Sequence, residues 1–313
     1  MAEMLYPLQG KKVWVAGAGG MVGKALVRRL EREGCELLIA DRALDLRRQV
    51  EVERWVAAHK PDAVFMAAAK VGGIHANNTK PAEFIYDNTA IETNIIHAAY
   101  LSGVKKLLFL GSSCIYPREA SQPIAESALL TGPLEPTNQW YAIAKIAGLM
   151  MCQAYRRQYG CDFISAMPTN LYGPHDRFDT ETSHVIPGMM AKFHRAKMKN
   201  LPQVELWGTG TPMREFLHVD ELADALVVMM QSYSGEEPVN IGWGKDVSIR
   251  ELAVMMAQVV GYGGAVRFNP AMPDGMMRKL LDTGRINALG WKPKITLEEG
   301  LLQTYRWYVD NAI

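Results

Sequence analysis

The most constraining feature of this chain is a glycine-closed turn near its start. KKVWVAGAGG passes from a β-type apolar run into glycines, and MVGKALVRRLEREG follows with Val22, Leu26 and Leu30 on one helical face. A strand that enters a helix through Gly17, Gly19, Gly20 and Gly23 leaves few architectures open, because the turn must be tight and the helix must lie against the strand. The pattern then repeats. ELLIAD reads as a strand, LRRQVEVERWVAAHK as a helix and DAVFMAAA as a strand, and a helix is expected around 81–102. KKLLFLGSS is a further strand, WYAIAKIAGLMMCQAYRRQYG a long helix, and FISAMPTNLYG one more strand. Strands that are apolar along their whole length, separated by helices, predict a parallel sheet covered on both faces.

The expected fold is therefore α/β, a Rossmann-type doubly wound parallel sheet with a smaller C-terminal substrate-binding domain. The division is expected at 1–170 for dinucleotide binding and 171–313 mainly for substrate. Segments near 215–243, including the strand-like VNIGW, are expected to return to the first unit. Beyond residue 170 the alternation weakens and Pro and Gly become frequent, as in HVIPGMM, LWGTGTPM and FNPAMPDG. A length of 313 residues suits this arrangement, and 49% hydrophobic residues supply a sizeable core. The net charge of +1 gives no reason to expect nucleic acid or an anionic membrane as a partner. No apolar run approaches the roughly 20 residues of a membrane span, and MAEMLYPLQGKK does not read as a signal peptide. Cys35, Cys114, Cys152 and Cys161 show no C-x-x-C pair and no metal-ligand spacing, so a reducing cytoplasm and no metal are expected.

The glycine turn carries chemistry as well as shape. Glycine lets the backbone approach a pyrophosphate, and the following helix N terminus offers N–H donors and partial positive charge. The spacing is G-x-x-G-x-x-G, with Gly19 adding a partial match to the dehydrogenase pattern. Asp41 and Arg42 follow the second strand side by side. An acidic residue there suits the ribose hydroxyls of NAD, and an arginine suits the phosphate of NADP.

Tyr141 and Lys145 lie at i and i+4, on one face of a predicted helix. A phenol titrates near 10, too high for efficient proton exchange at neutral pH, and a nearby ammonium favours the phenolate. Ser112, at the end of the KKLLFLGSS strand, is expected to hydrogen-bond the same carbonyl oxygen that Tyr141 protonates. Together with the glycine turn these residues form the site of a reductase or epimerase.

These motifs resemble the extended short-chain dehydrogenase/reductase superfamily. Within it the chain is similar to the 3,5-epimerase/4-reductases of GDP-4-keto-6-deoxy-mannose, through AAAKVGGIHANN, GSSCIYP, YAIAK, PTNLYGPHD, SHVIPGMM, WGTGTPMREFLHVD and PDGMMRKLLD. The resemblance covers nearly the whole chain. It implies that Tyr141 donates a proton to the carbon-4 oxygen, that Lys145 lowers the phenol pKa and binds the nicotinamide ribose, and that Ser112 orients the substrate. It implies Cys114 and His184 as the acid/base pair of epimerisation, with their directions open. Cofactor contacts fall on Gly17, Ala18, Gly19, Gly20, Met21, Val22 and Gly23, on Asp41 and Arg42, and on Leu110, Gly111, Ser112 and Ser113. They continue on Pro168, Thr169, Asn170 and Leu171, with Lys145 and His184. Lys192, Trp207, Arg214, Asp274 and Lys279 match positions that hold the GDP-sugar. The implied cofactor is NADP(H), with NAD(H) as the alternative because of Asp41, and the implied assembly is a homodimer. Relatives acting on other keto-sugars, of colitose or 6-deoxyheptose type, or catalysing only one of the two reactions, fit the same motifs.

Plainer readings stand beside these. Cys114 alone reads as buried filler, and His184 as a capping or core histidine with His175 as a competitor. Arg214 and Lys279 read as solvated charges and Trp207 as core, although a guanidinium suits a diphosphate. The methionine-rich segments read as packing. A sensor or scaffold without turnover is the reading from another class, and the Ser–Tyr–Lys set argues against it.

Overall fold

The computed structural model describes residues 3–179, 183–272 and 274–311. Its first part alternates β1 (Lys12–Ala16), α1 (Met21–Leu30), β2 (Glu36–Leu38), α2 (Gln49–His59) and β3 (Ala63–Met66). It continues with α3 (Ile74–Thr79), α4 (Pro81–Leu101), β4 (Lys106–Leu110), α5 (Gln139–Tyr159) and β5 (Asp162–Pro168). The strand-like run after α5 is broken at Thr169. There the backbone N–H donates to the carbonyl of Ile241, and the chain leaves the sheet as β6 (Asn170–Tyr172).

The rest comprises α6 (Val185–Met198), β7 (Gln203–Trp207), β8 (Met213–His218), α7 (Val219–Ser232), β9 (Val239–Ile241) and β10 (Asp246–Ser248). Then come α8 (Ile249–Val260), β11 (Ala265–Asn269), β12 (Arg278–Lys279), α9 (Gly284–Ala288) and α10 (Leu297–Asn311). The main sheet is parallel and six-stranded, in the order β2-β1-β3-β4-β5-β9. The order reverses between β1 and β3, which opens a crevice at their carboxyl ends where ligands of doubly wound sheets bind.

β1, β3 and β4 are buried through their centres because helices cover both faces. One face carries α1 and α7 over Val13, Val15, Phe65, Leu108 and Ile164. The other carries α2, α4 and α5 over Trp14, Val64, Leu107, Phe109 and Phe163. A second, smaller core lies among α6, α8 and α10, with Phe193, Met256 and Leu301 at its centre. α8 starts with a capping box, in which the Ser248 hydroxyl accepts from the Glu251 N–H and the Glu251 carboxylate accepts from the Ser248 N–H. β8 links the two regions, pairing with β6, β10 and β12. The buried Glu215 on β8 accepts backbone N–H donors from Gly244 and Leu281 and so ties these returning segments to it. Among the described residues no helix is long and apolar enough to cross a membrane.

Candidate active site

The glycine turn joins β1 to α1 at the crevice. Gly17 has φ +90°, and a Cβ there would lie 2.6 Å from the Ala68 nitrogen, so the turn packs directly on the backbone after β3. Gly23 sits on the inner face of α1, where a Cβ would be 2.1 Å from the Gly17 carbonyl oxygen. Gly20 starts the helix, and no side chain caps its first turn. The turn therefore presents helix N–H donors at a surface without side chains, the setting a pyrophosphate requires. The Arg42 guanidinium lies 3.9 Å from where a Gly19 Cβ would sit, and thus leans over this turn. Asp41 turns the other way, its Oδ1 accepting the Ala43 N–H at 2.9 Å. The side-by-side acid and base resolve into a guanidinium facing the glycine turn and a carboxylate held by its own loop.

The end of β4 leads into Gly111, whose N–H donates to the Ala166 carbonyl and where a Cβ would meet the Met167 side chain. Ser112 then caps a short 3-10 turn, Ser113–Ile115, its Oγ accepting the Cys114 N–H at 3.3 Å. The Ser112 hydroxyl also neighbours the Tyr141 phenol. Desolvation pushes that phenol above the ordinary tyrosine range. Cys114 and Glu92 push the same way, and the Ser112 hydroxyl opposes them. The Cys114 sulfur receives two donors, Lys279 Nζ at 3.5 Å and Asn138 Nδ2 at 3.6 Å. Lys279, 7% exposed, comes from β12, where it is the register partner of Arg214 on β8.

Lys145 lies one helical turn after Tyr141 on α5, its Nζ 5.8 Å from the Tyr141 ring centroid. It donates to the Leu110 carbonyl at 3.0 Å and stands 3.0 Å from Glu92 Oε1 on α4. The lysine is 2% exposed and the glutamate 1%. Burial pushes the Glu92 carboxyl up, and the Lys145 charge opposes that shift. The resemblance gives Lys145 two tasks, lowering the Tyr141 pKa and binding the nicotinamide ribose; in the structure burial pushes the phenol up, and the charged neighbour of the ammonium is the Glu92 carboxylate.

His184 is the N-cap residue of α6. The residue is exposed to solvent, although neighbouring protein partly desolvates its ring. Crowding draws its pKa below the usual histidine value, and a hydrogen bond with the Gly72 backbone opposes that shift. Asn77 Nδ2 donates to the Gly72 carbonyl at 2.8 Å, and two residues earlier the Asn88 side chain accepts the Lys70 N–H and donates to the Lys70 carbonyl. His175 instead lies against α1, with Nδ1 3.2 Å from Lys24 Nζ, and packs on Trp307.

Lys192 stands 5.7 Å over the Trp207 ring, which is itself 53% exposed and offers a flat apolar face. The Lys192 ammonium is destabilised by burial, with Glu205 opposing. Arg214 is drawn below the usual arginine range by burial, with Asp274 opposing, and donates to the Met213 carbonyl at 2.8 Å. Asp274 uses both oxygens on Thr209, accepting its N–H at 2.7 Å and its hydroxyl at 2.8 Å. A Cβ on Gly208, φ +77°, would strike that carboxylate at 2.1 Å. Asp274 therefore fixes the turn after Trp207. Pro168 and Thr169 close β5 beside the same crevice, with the Asn170 amide bonded to the Glu215 carbonyl and Leu171 on β6.

Four residues in contact with the expected site residues escaped sequence reasoning: Glu92, Asn138, Gly148 and Thr209. Glu92 left a signal, because Glu92, Ile95, Ile96 and Ala99 share one buried helical face, and a charge on such a face needs a partner. A Cβ on Gly148 would meet Glu92 Oε2 and Phe109 at 2.6 Å, so that glycine makes room for the carboxylate.

A glycine-built helix N terminus at the switch point of a parallel sheet, beside a Ser–Tyr–Lys set, defines a dinucleotide-using enzyme of the extended short-chain dehydrogenase/reductase class. The family model for the NAD dependent epimerase/dehydratase family matches residues 13–242, and the chain belongs to that family. It is 57% identical over 309 residues to the GDP-L-fucose synthase of Sinorhizobium fredii, covering 98% of each chain. The solved GDP-D-glycero-L-gluco-heptose synthase of Campylobacter jejuni, determined in the presence of NADPH, superposes with a TM-score of 0.87 at 37% identity, covering 97% of this chain and 99% of that one. The NADP-bound GDP-L-fucose synthetase of Naegleria fowleri superposes at 0.90 with 27% identity, covering 99% of this chain and 97% of that one.

Proposed function

We propose that this chain is a bifunctional 3,5-epimerase/4-reductase that converts GDP-4-keto-6-deoxy-mannose to GDP-L-fucose with NADPH. The arrangement that carries the reading is Ser112, whose hydroxyl accepts the Cys114 N–H at 3.3 Å and neighbours the Tyr141 phenol. One residue thereby couples the group that serves carbon 4 to the group that serves its neighbour. The 57% identity to a GDP-L-fucose synthase along 98% of the chain favours this sugar over the heptose of the 37% relative.

The residues present suit the cofactor. Gly17 and Gly23 leave the turn room that a side chain would fill, α1 supplies N–H donors, and Arg42 leans over Gly19 toward the place of a ribose phosphate. Bound NADPH supplies the hydride for carbon 4. Leu110 through Ser113 after β4 and Pro168 through Leu171 after β5 would hold the nicotinamide half of that cofactor.

The chain's own groups do the proton work. A ketone at carbon 4 acidifies the protons on carbons 3 and 5, so a base can remove each to give an enolate. The Ser112 and Tyr141 hydroxyls hydrogen-bond the carbon-4 oxygen and stabilise its developing charge. Cys114 and His184 exchange the carbon protons. Lys279 and Asn138 are donors matched to a negatively charged sulfur. Partial desolvation favours the uncharged form of the His184 ring, the form that can accept a proton. In the reduction Tyr141 gives its proton to the carbon-4 oxygen. Arg214 and Lys192 hold the diphosphate, the Trp207 face carries the guanine, and Asp274 keeps the supporting turn in place.

The proposal includes a homodimer in the cytoplasm, with the first unit ending near residue 170. Exposed Tyr86 on α4 and Ile143 on α5, near the N-terminal ends of these two packed helices, support a docking face for a second copy. Incubation with GDP-4-keto-6-deoxy-mannose and NADPH tests the activity by cofactor oxidation. No oxidation of either NADPH or NADH would reject it.

A further inference from the structure

Glu92 is a buried titratable group that the reaction above does not use. It lies in the middle of α4, on the buried face that carries Ile95 and Ile96, 3.0 Å from the Lys145 ammonium. A carboxylate 1% exposed forfeits its hydration, which is costly unless a counter-charge stands close, and a Glu-to-Leu change at such a position normally serves a core better. Its persistence is matched by a second concession, the absence of a side chain at Gly148, without which Oε2 would lack space. An ammonium has three donors. The Leu110 carbonyl accepts one of those of Lys145, while Glu92 Oε1 stands 3.0 Å from the same nitrogen as an ion-pair partner outside hydrogen-bond geometry, and the Tyr141 ring centroid lies 5.8 Å away.

We propose that Glu92 is the positioning residue of this active site: it fixes the Lys145 ammonium against the end of β4 and, through that lysine, sets the charge balance under which Tyr141 holds and gives up its proton. The inference rests on the proposed reductase reading for its kinetic consequence, but not for the ion pair itself. Glu92 and Lys145 form a charge-neutral unit. With Glu92 neutral, the buried positive charge acts on Tyr141 without offset and favours the phenolate.

Two measurements separate this role from packing. In the cofactor-free protein, melting temperatures of wild type, Glu92→Gln, Lys145→Met and the double variant form a cycle. Each single change is expected to lower the midpoint by about 5–10 °C, and the double change by clearly less than their sum. Additive losses would overturn the pair. In the second, the pH dependence of carbon-4 reduction is compared at saturating NADPH. Tyr141 must be protonated to donate, so activity falls as pH rises through its titration. Glu92→Gln is expected to move that alkaline limb down by about one pH unit, while Glu92→Asp keeps the limb and lowers kcat. A Glu92→Gln enzyme with the wild-type limb would overturn the positioning role. A wild type silent on the GDP-keto-sugar would instead reject the proposed reaction, with the melting cycle still deciding the pair. Should Glu92→Gln fail to fold, Glu92→Asp decides: an unchanged kcat and an unchanged melting temperature would refute the role.

Discussion

Two glycines three residues apart in the same turn should respond oppositely to one methyl group. At Gly23 a Cβ would sit 2.1 Å from the Gly17 carbonyl oxygen and 2.6 Å from the Ala18 Cα, against an ordinary contact of 3.4 Å or more. The carbonyl would have to retreat by more than about 1 Å to restore ordinary packing. It cannot do so cheaply, because it accepts the Gly20 N–H at 3.1 Å and Gly17 is itself wedged against Ala68. Overpacking of this kind costs about 1–3 kcal/mol, which for a domain of this size lowers the melting temperature by about 3–10 °C. The displaced turn also loses at least one N–H contact to the pyrophosphate, so NADPH affinity should fall about ten- to hundredfold. At Gly20, φ is −81° and the nearest atom to a Cβ is 3.6 Å away, so Gly20→Ala should melt within about 1 °C of wild type. Calorimetry and titration of NADPH fluorescence read both quantities. A Gly23→Ala protein that melts and binds NADPH like wild type would refute the reasoning.

Other perturbations follow from the same geometry. Lys279→Met removes the ammonium 3.5 Å from the Cys114 sulfur, so solvent-deuterium incorporation into the sugar should fall about 10- to 100-fold with NADPH affinity unchanged; unaltered exchange would return Lys279 to a purely substrate-holding role. Trp207→Ala removes an exposed stacking face and should raise KM for the GDP-sugar about tenfold while leaving NADPH binding alone, which initial-rate kinetics would show. Burial pushes the Asp176 carboxyl up to about 7 from 3.8. A raised folded-state pKa means that stability is fully present below pH 3.8 and is lost as pH rises toward 7, where only the unfolded chain has ionised. Asp176→Asn should therefore raise the melting temperature at pH 8 and change little at pH 4; equal effects at both pH values would contradict the assignment.

Much of this architecture is legible in the chain because apolar strands and the glycine turn obey local rules. β1, β3 and β4 are continuous apolar runs, and α5 carries Tyr141 and Lys145 at helical spacing. The break at Thr169 was not legible, since β5 and β6 read as one strand until Ile241 and Glu215 offer partners in different sheets. The Lys279 contact to Cys114 spans 165 residues, and no periodicity encodes it. Asp274 shows the converse. Its charge is visible in the sequence, but Thr209 occupies both of its oxygens. Asp41 and Arg42 conflict as neighbours in sequence and separate in space, because a local turn captures the acid and leaves the guanidinium by Gly19.

The central claim is that one crevice joins proton exchange at carbons 3 and 5 to hydride transfer at carbon 4. The direct test is a single reaction of GDP-4-keto-6-deoxy-mannose with NADPH in deuterium oxide, followed by NMR of the product. The account predicts GDP-L-fucose with solvent deuterium at carbons 3 and 5 and one NADPH oxidised for each molecule formed. Cofactor oxidation yielding a 4-reduced sugar without deuterium at either carbon would contradict it.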